Sequence, residues 1–542
     1  MSYPEIEEVR RRLWDRQHSR RAVLAGGAAV AAAGTAAAAL ALAQSGGGPG
    51  AAEQSTAPTA TASPPAPSPT ASATVVAAAP SGPIPEPERR AAHLLRRAGF
   101  GGSQAEIEEF ARLDREAAAS RLVDYEAQDN SALETRVAAG NFELTYGRLQ
   151  RLDMTRWWLT RMAYTERPLE ERMTLTWHGW LVSQVSQIPN VLANYMVRQN
   201  ELFRAMALPV HDDLLQAVSK DPAMMLYLNT AESSVDHPNE NYARELMELF
   251  SMGVDTYSED DVREAARAFT GWRFSQPPRS ALTGDQETNQ EIRARWEPEF
   301  LKAPRQHDFA EKTFLGRVGA WDGEDIVRII EEQAVTGEFV CTRLFREFVH
   351  DTPNNEDIAA LVDVWHSSGH DIREVVRVIL TSDVFYSEEA YRAKVRSPVE
   401  VLVGLVRGLE VETDFRVDVR GAGSMGQTLY DPPNVAGWEG GAAWLSSATL
   451  FARANFIDQL FTGFRAADRQ GQRVPGVVPV ALLGHATPAA MVDTALAALV
   501  DGNVPGASRD AIDELAASIA DERERAAAVA YLVACSPEYQ LA

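Results

Sequence analysis

The chain has 542 residues, 24% of them charged, a formal net charge of -24 and two cysteines. That length suffices for a large buried core, and the acidic balance excludes general nucleic-acid binding, which draws its affinity from Lys and Arg on phosphates. Two thiols are too few for a Cys-ligated iron–sulfur cluster or a Cys-rich zinc site.

At the N-terminus, Ser19, Arg20 and Arg21 stand directly before an apolar stretch running from Ala22 to Ala43. This pattern reads as a twin-arginine export signal over residues 1–43. Leu24 keeps the consensus, whereas Val23 and Ala25 depart from it. The stretch is mostly Ala and Gly, weakly hydrophobic, and suits a cleaved signal better than a stable span. Ala41-Leu42-Ala43 offers a small-x-small cleavage site before Gln44, and an uncleaved N-terminal anchor is the alternative. The expected location is periplasmic, extracellular or envelope-associated. Residues 44–87 collapse to Ala, Pro, Ser, Thr and Gly. Such a segment cannot bury enough apolar surface to offset its ordering entropy and reads as a disordered, semi-extended linker.

From residue 88 to 542 the dominant period is 3.6, as in AEIEEFARLDREAAASRLVDYE and DIVRIIEEQAVTGEFVCTRLFREFV. The expected fold is all-α, a large multi-helix body of helical hairpins. Ser103 with Glu106 and Ser258 with Asp261 have capping-box spacing, and Pro168 suits a helix's first turn. Two long loops, 275–305 and 421–441, interrupt the body, and loops of that length in a compact domain are often functional. Cys341 and Cys535 sit in apolar runs and read as buried thiols, with a bond between them left open.

Four stretches could carry chemistry. In NENYARELMELF, Asn239 to Phe250, the apolar residues fill a wide arc and leave Asn241, Arg244, Glu245 and Glu248 on one stripe. That arc is too wide for a surface helix, so the stripe is expected to form an internal polar site, with Asn239 as N-cap. In TLTWHGW, His178 stands between Trp177 and Trp180. In RQHDFAEKTFLG, His307 and Asp308 precede Lys312. His178, His307 and Asp308, with Glu245 and Glu248, make an imidazole-plus-carboxylate set suited to a divalent metal such as zinc, iron or manganese, although the spacing matches no recognised motif. Finally, LYDPPNVAGWEGGAAWLS sets Asn434, Trp438 and Trp444 around a rigid turn. Aromatic platforms beside carboxylates bind sugars or quaternary groups; they also lock a loop onto a fold. Nucleophile-elbow, Walker and dinucleotide fingerprints are lacking.

These stretches, with SPVEVLVGLVRGL and SPEYQ, resemble the bacterial family catalogued as domain of unknown function 1800, in the family's order from about residue 88 to 542. The resemblance implies an exported helical protein of no settled activity, often encoded beside exported proteins related to sulfatases and alkaline phosphatases. Its motif positions here are His178, Asn239, Asn241, Arg244, Glu245, Glu248, Gly271, Trp272, His307, Asp308, Lys312, Gly316, Pro433, Asn434, Gly437 and Trp438.

Two readings follow. In one, the protein is a metal-dependent hydrolase acting on an envelope or extracellular polymer. His178, His307 and Asp308 would hold the metal, Glu245 or Glu248 would act as base, and Arg244 and Lys312 would assist. In the other it is a non-catalytic exported protein that binds a surface polymer or a co-exported sulfatase- or phosphatase-like partner. Asn239, Asn241, Asn434 and Trp438 are the expected binding residues. Contact with a membrane would come only through the signal or an uncleaved anchor.

Overall fold

The computed structural model describes residues 86–542 apart from 148–149, 417–418 and 466–472. The signal and linker assignments therefore fall almost wholly outside the described residues. Over the rest, the body is built of α-helices, with three two-stranded antiparallel pairs as its sheet content among the described residues.

At the centre lies the helix Pro398–Gly408, every residue of which is buried. Its sequence PVEVLVGLVRG is apolar nearly all round, which is what a helix covered on every side requires. Its two charges are paired: Glu400 takes Arg172, and Arg407 donates to Glu106 and to the carbonyl oxygens of Gly101, Ala163 and Thr165. Against it packs the Gln150–Tyr164 helix, which in turn meets the Pro168–Trp180 helix, itself packed on Asn194–Ala205. The seam between these three is fastened by Glu171, fully buried, which accepts hydrogen bonds from Arg204, Arg161 and the Trp158 indole.

The capping signals are realised. Ser103 and Glu106 form a reciprocal capping box, as do Ser258 and Asp261, and Pro168 opens the Pro168–Trp180 helix. The sequence gives no sheet signal because each strand is three residues long, too short for alternation to register. Trp272–Phe274 pairs with Phe300–Lys302 and closes the neck of the 275–305 excursion. That segment is not simply a loop, since it folds back through the helix Gln286–Arg295, capped by Asp285. Cys341 and Cys535 are both free thiols. Among the described residues no helix is long and apolar enough to cross a membrane.

Candidate functional site

A cleft of about 980 Å³ opens where three elements meet. Its floor is one stripe of the Pro168–Trp180 helix, from Arg172 through Thr176 and Gly179 to Trp180. One wall is the Ala334–Phe348 helix, which turns Val335, Glu338, Phe339, Thr342, Arg343, Arg346 and Glu347 toward the opening. These positions follow the spacing of a single helical face, while Val340, Cys341, Leu344, Phe345 and Phe348 face the core.

The opposite wall is the loop from Asn434 to Trp444. Its shape is local chemistry. The Asn434 side chain accepts the Ala436 N–H at 2.8 Å and its carbonyl accepts the Gly437 N–H at 3.0 Å. Gly437 has φ +83°, and a Cβ there would lie 2.2 Å from the Gly179 carbonyl oxygen. Only glycine allows this backbone to sit so close on the helix end. The result fixes Trp438, half-buried, across one side of the cleft.

Charge in the cleft is mixed and largely organised. Arg172 holds Glu347 at 2.8 Å and also grips Glu400. Burial alone would raise the Glu400 carboxyl, but the Arg172 guanidinium outweighs it and holds that group down at about 2. Lys394 pairs with Asp351 at 2.8 Å. Arg343 differs: its guanidinium lies 4.5 Å from the centre of the Trp180 ring and 5.6 Å from that of Phe339, and gives one N–H to the Leu249 carbonyl at 2.9 Å. Burial pushes its pKa down to about 10. The same Leu249 oxygen accepts the Trp180 indole N–H at 3.0 Å. Leu249 belongs to a π-helical turn, Leu246–Ser251, and carbonyls near a helix end lack an intrahelical partner.

Behind the Trp438 wall sits His178. Its ring is 5.7 Å from Trp438, 5.4 Å from Trp158 and 5.8 Å from Tyr430. His178 Nε2, the Tyr430 hydroxyl and the Trp438 indole N–H are all buried without a hydrogen-bond partner among the described residues. Burial pushes the His178 imidazole down to about 3, so it is neutral.

The remaining residues expected from the sequence lie elsewhere. His307 engages the Thr270 carbonyl at 2.8 Å. Asp308 pairs with Arg267 at 2.7 Å and is held below the usual carboxylate range; partial burial would raise it, but that guanidinium prevails. Lys312, buried, donates to the carbonyls of Asp308 and Ala310, and burial lowers its pKa. These three are a loop-fastening set. The Asn241–Glu245 helix and its π-helical continuation are buried along Tyr242, Ala243, Leu246, Met247 and Phe250, as the wide apolar arc implies. The polar stripe is not internal, however: Arg244 forms surface pairs with Glu259 at 2.8 Å and Glu240 at 3.2 Å, and Glu248 accepts from Tyr257 at 3.1 Å. Glu245 acts on Tyr227, whose hydroxyl pKa is pushed up to about 12 by burial first and then by that carboxylate. Asn239 accepts the Asn241 N–H at 2.9 Å in a local turn but is not the N-cap expected of it: that position is Glu240, which makes no side-chain capping bond, and the Asn241 side chain is exposed.

The ligand set His178, His307 and Asp308 is therefore not gathered in one place. Among the described residues no three His, Cys, Asp or Glu side chains converge as a metal site would require. Of the expected residues, Asn434 and Trp438 line the cleft, and His178 backs it. Sequence reasoning missed Arg172, Phe339, Arg343 and Arg346. One signal was available for the wall helix: Val335 and Phe339 are apolar positions on a stripe that otherwise carries Glu338, Thr342, Arg343, Arg346 and Glu347.

The sequence model of the family described as "Protein of unknown function (DUF1800)" matches residues 93–541. No curated protein and no solved structure matches the chain.

Proposed function

The chain belongs to the DUF1800 family, and on that footing we propose that it is an exported binding protein whose cleft takes an extended sugar polymer of the envelope or its surroundings. The observation that carries this reading is the cleft's lining, in which Trp180, Phe339, Trp438 and Trp444 are interleaved with Arg343, Glu338, Glu347 and Thr342. A sugar ring presents apolar C–H faces and a rim of hydroxyls. Indole and phenyl faces take the former, and guanidinium, carboxylate and hydroxyl groups take the latter. The export half of the proposal rests on Ser19-Arg20-Arg21 and the apolar stretch behind it.

Screening the full-length chain against an array of bacterial and extracellular oligosaccharides tests the reading. A defined set of glycans should bind, and Trp438→Ala or Trp444→Ala should weaken that set by about 30-fold, the effect of losing an aromatic anchor. Binding that survives both substitutions, or an array with no bound glycan, would contradict it.

A further inference from the structure

Among the cations lining the cleft, Arg172 is held by Glu347 and Glu400, and Lys394 by Asp351. Arg343 forms no such ion pair among the described residues; the carboxylate that acts on it, Glu347, is already held by Arg172. Among the described residues its one protein hydrogen bond runs to the Leu249 carbonyl oxygen, and its remaining N–H groups are left to the cleft. The side chain is half-buried, and a guanidinium withdrawn from water without an anion is unfavourable. The Trp180 and Phe339 rings, tilted 57° to each other, both border it, and their π faces offset part of that penalty. With one hydrogen bond to Leu249 and a place in the cleft lining, the guanidinium keeps donors that suit the two oxygens of an acid group.

A chain with net charge -24 repels polyanions at long range. Retention of an acidic ligand therefore needs a local cation that is not already neutralised.

Resting on the glycan reading above, we propose that Arg343 is an acid-recognition subsite: the polymer held in the cleft bears a carboxylate or a sulfate ester that pairs with the Arg343 guanidinium beside Trp180 and Phe339. The aromatic wall then sets where along the chain the acid group must fall, and acidic polymers are selected over their neutral counterparts.

The test uses the full-length chain and an array printed in matched pairs, uronate beside uronate methyl ester and sulfated beside desulfated oligosaccharide. The wild type should favour the acidic member of a pair by about 10- to 100-fold, the range for a hydrogen bond to a charged group. Preference within the uronate pairs identifies a carboxylate, and within the sulfated pairs a sulfate ester. Arg343→Gln should abolish the preference while still binding the neutral member, and Arg343→Lys, which keeps the charge and a folded wall helix, should retain part of it. Equal binding to both members by the wild type, or a preference undiminished in Arg343→Gln, would overturn the subsite and leave the glycan reading standing. Failure to bind any glycan would overturn both.

Discussion

Gly437→Ala tests whether the cleft depends on the close seat of its loop on the Pro168–Trp180 helix. At φ +83° an L-residue meets a penalty of about 1–2 kcal/mol. The added Cβ would stand 2.2 Å from the Gly179 carbonyl oxygen, so the loop has to retreat by about 1 Å to reach ordinary contact. Overpacking of that kind costs about 1–3 kcal/mol, and the two effects together predict a loss of about 2–5 kcal/mol in urea unfolding. Retreat also lifts Trp438 from His178. With water admitted to Nε2, the imidazole should move from about 3 back toward its ordinary value of 6.5, followed through its ring proton signals across a pH series. Unchanged stability, with His178 still neutral down to the same acidic pH, would refute the close-seat argument.

Further outcomes follow from the same structure. The folded-state pKa of His178 lies below its ordinary value, so its contribution is complete above about pH 6.5 and is lost as pH falls toward about 3, by about 1.4 kcal/mol per unit. His178→Phe should flatten that part of the stability–pH curve, measured by urea midpoints, and an unaltered slope would exclude a buried neutral imidazole. Glu171→Gln leaves Arg204 and Arg161 buried beside a neutral amide and should cost about 3–5 kcal/mol in chemical denaturation. A Glu171→Leu, Arg204→Met double variant should recover part of that loss. Burial pushes the Cys341 and Cys535 thiols up to about 12, so a disulfide reagent at pH 8 should find no fast-reacting thiol in the native chain and two after unfolding.

The helical body was legible because its signals are local: the 3.6 period, the Ser103 and Ser258 boxes and Pro168 each act within a few residues. The short strands were not, because three residues are too few for alternation to register, and the pairing of Trp272–Phe274 with Phe300–Lys302 is fixed by the closure of an excursion. Burial of the Tyr242–Phe250 face was also legible from the width of its apolar arc. The fate of its polar stripe was not, since an arc of apolar residues limits how much of a helix is covered without saying where the remaining strip points. Arg244 reaches Glu259, fifteen positions away, and that partnership has no signature in NENYARELMELF. The motif still contributes to the cleft, through the Leu249 carbonyl that receives Trp180 and Arg343. A backbone oxygen has no letter in the sequence, and neither does the distance between His178 and His307. Asn434 and Trp438, which line the cleft, stood out in the sequence because a Pro- and Gly-rich turn with aromatics is itself a local feature.

The central claim is that the cleft binds a glycan through its aromatic wall, and indole N–H signals of the full-length chain test it most directly. On addition of an array-selected oligosaccharide, the signals of Trp180, Trp438 and Trp444, all in the cleft lining, should shift together. Those of Trp296 and Trp321, which hydrogen-bond to Ser275 and Arg317, should stay in place. Shifts confined to the second group, or saturable binding that moves none of the cleft tryptophans, would contradict the account.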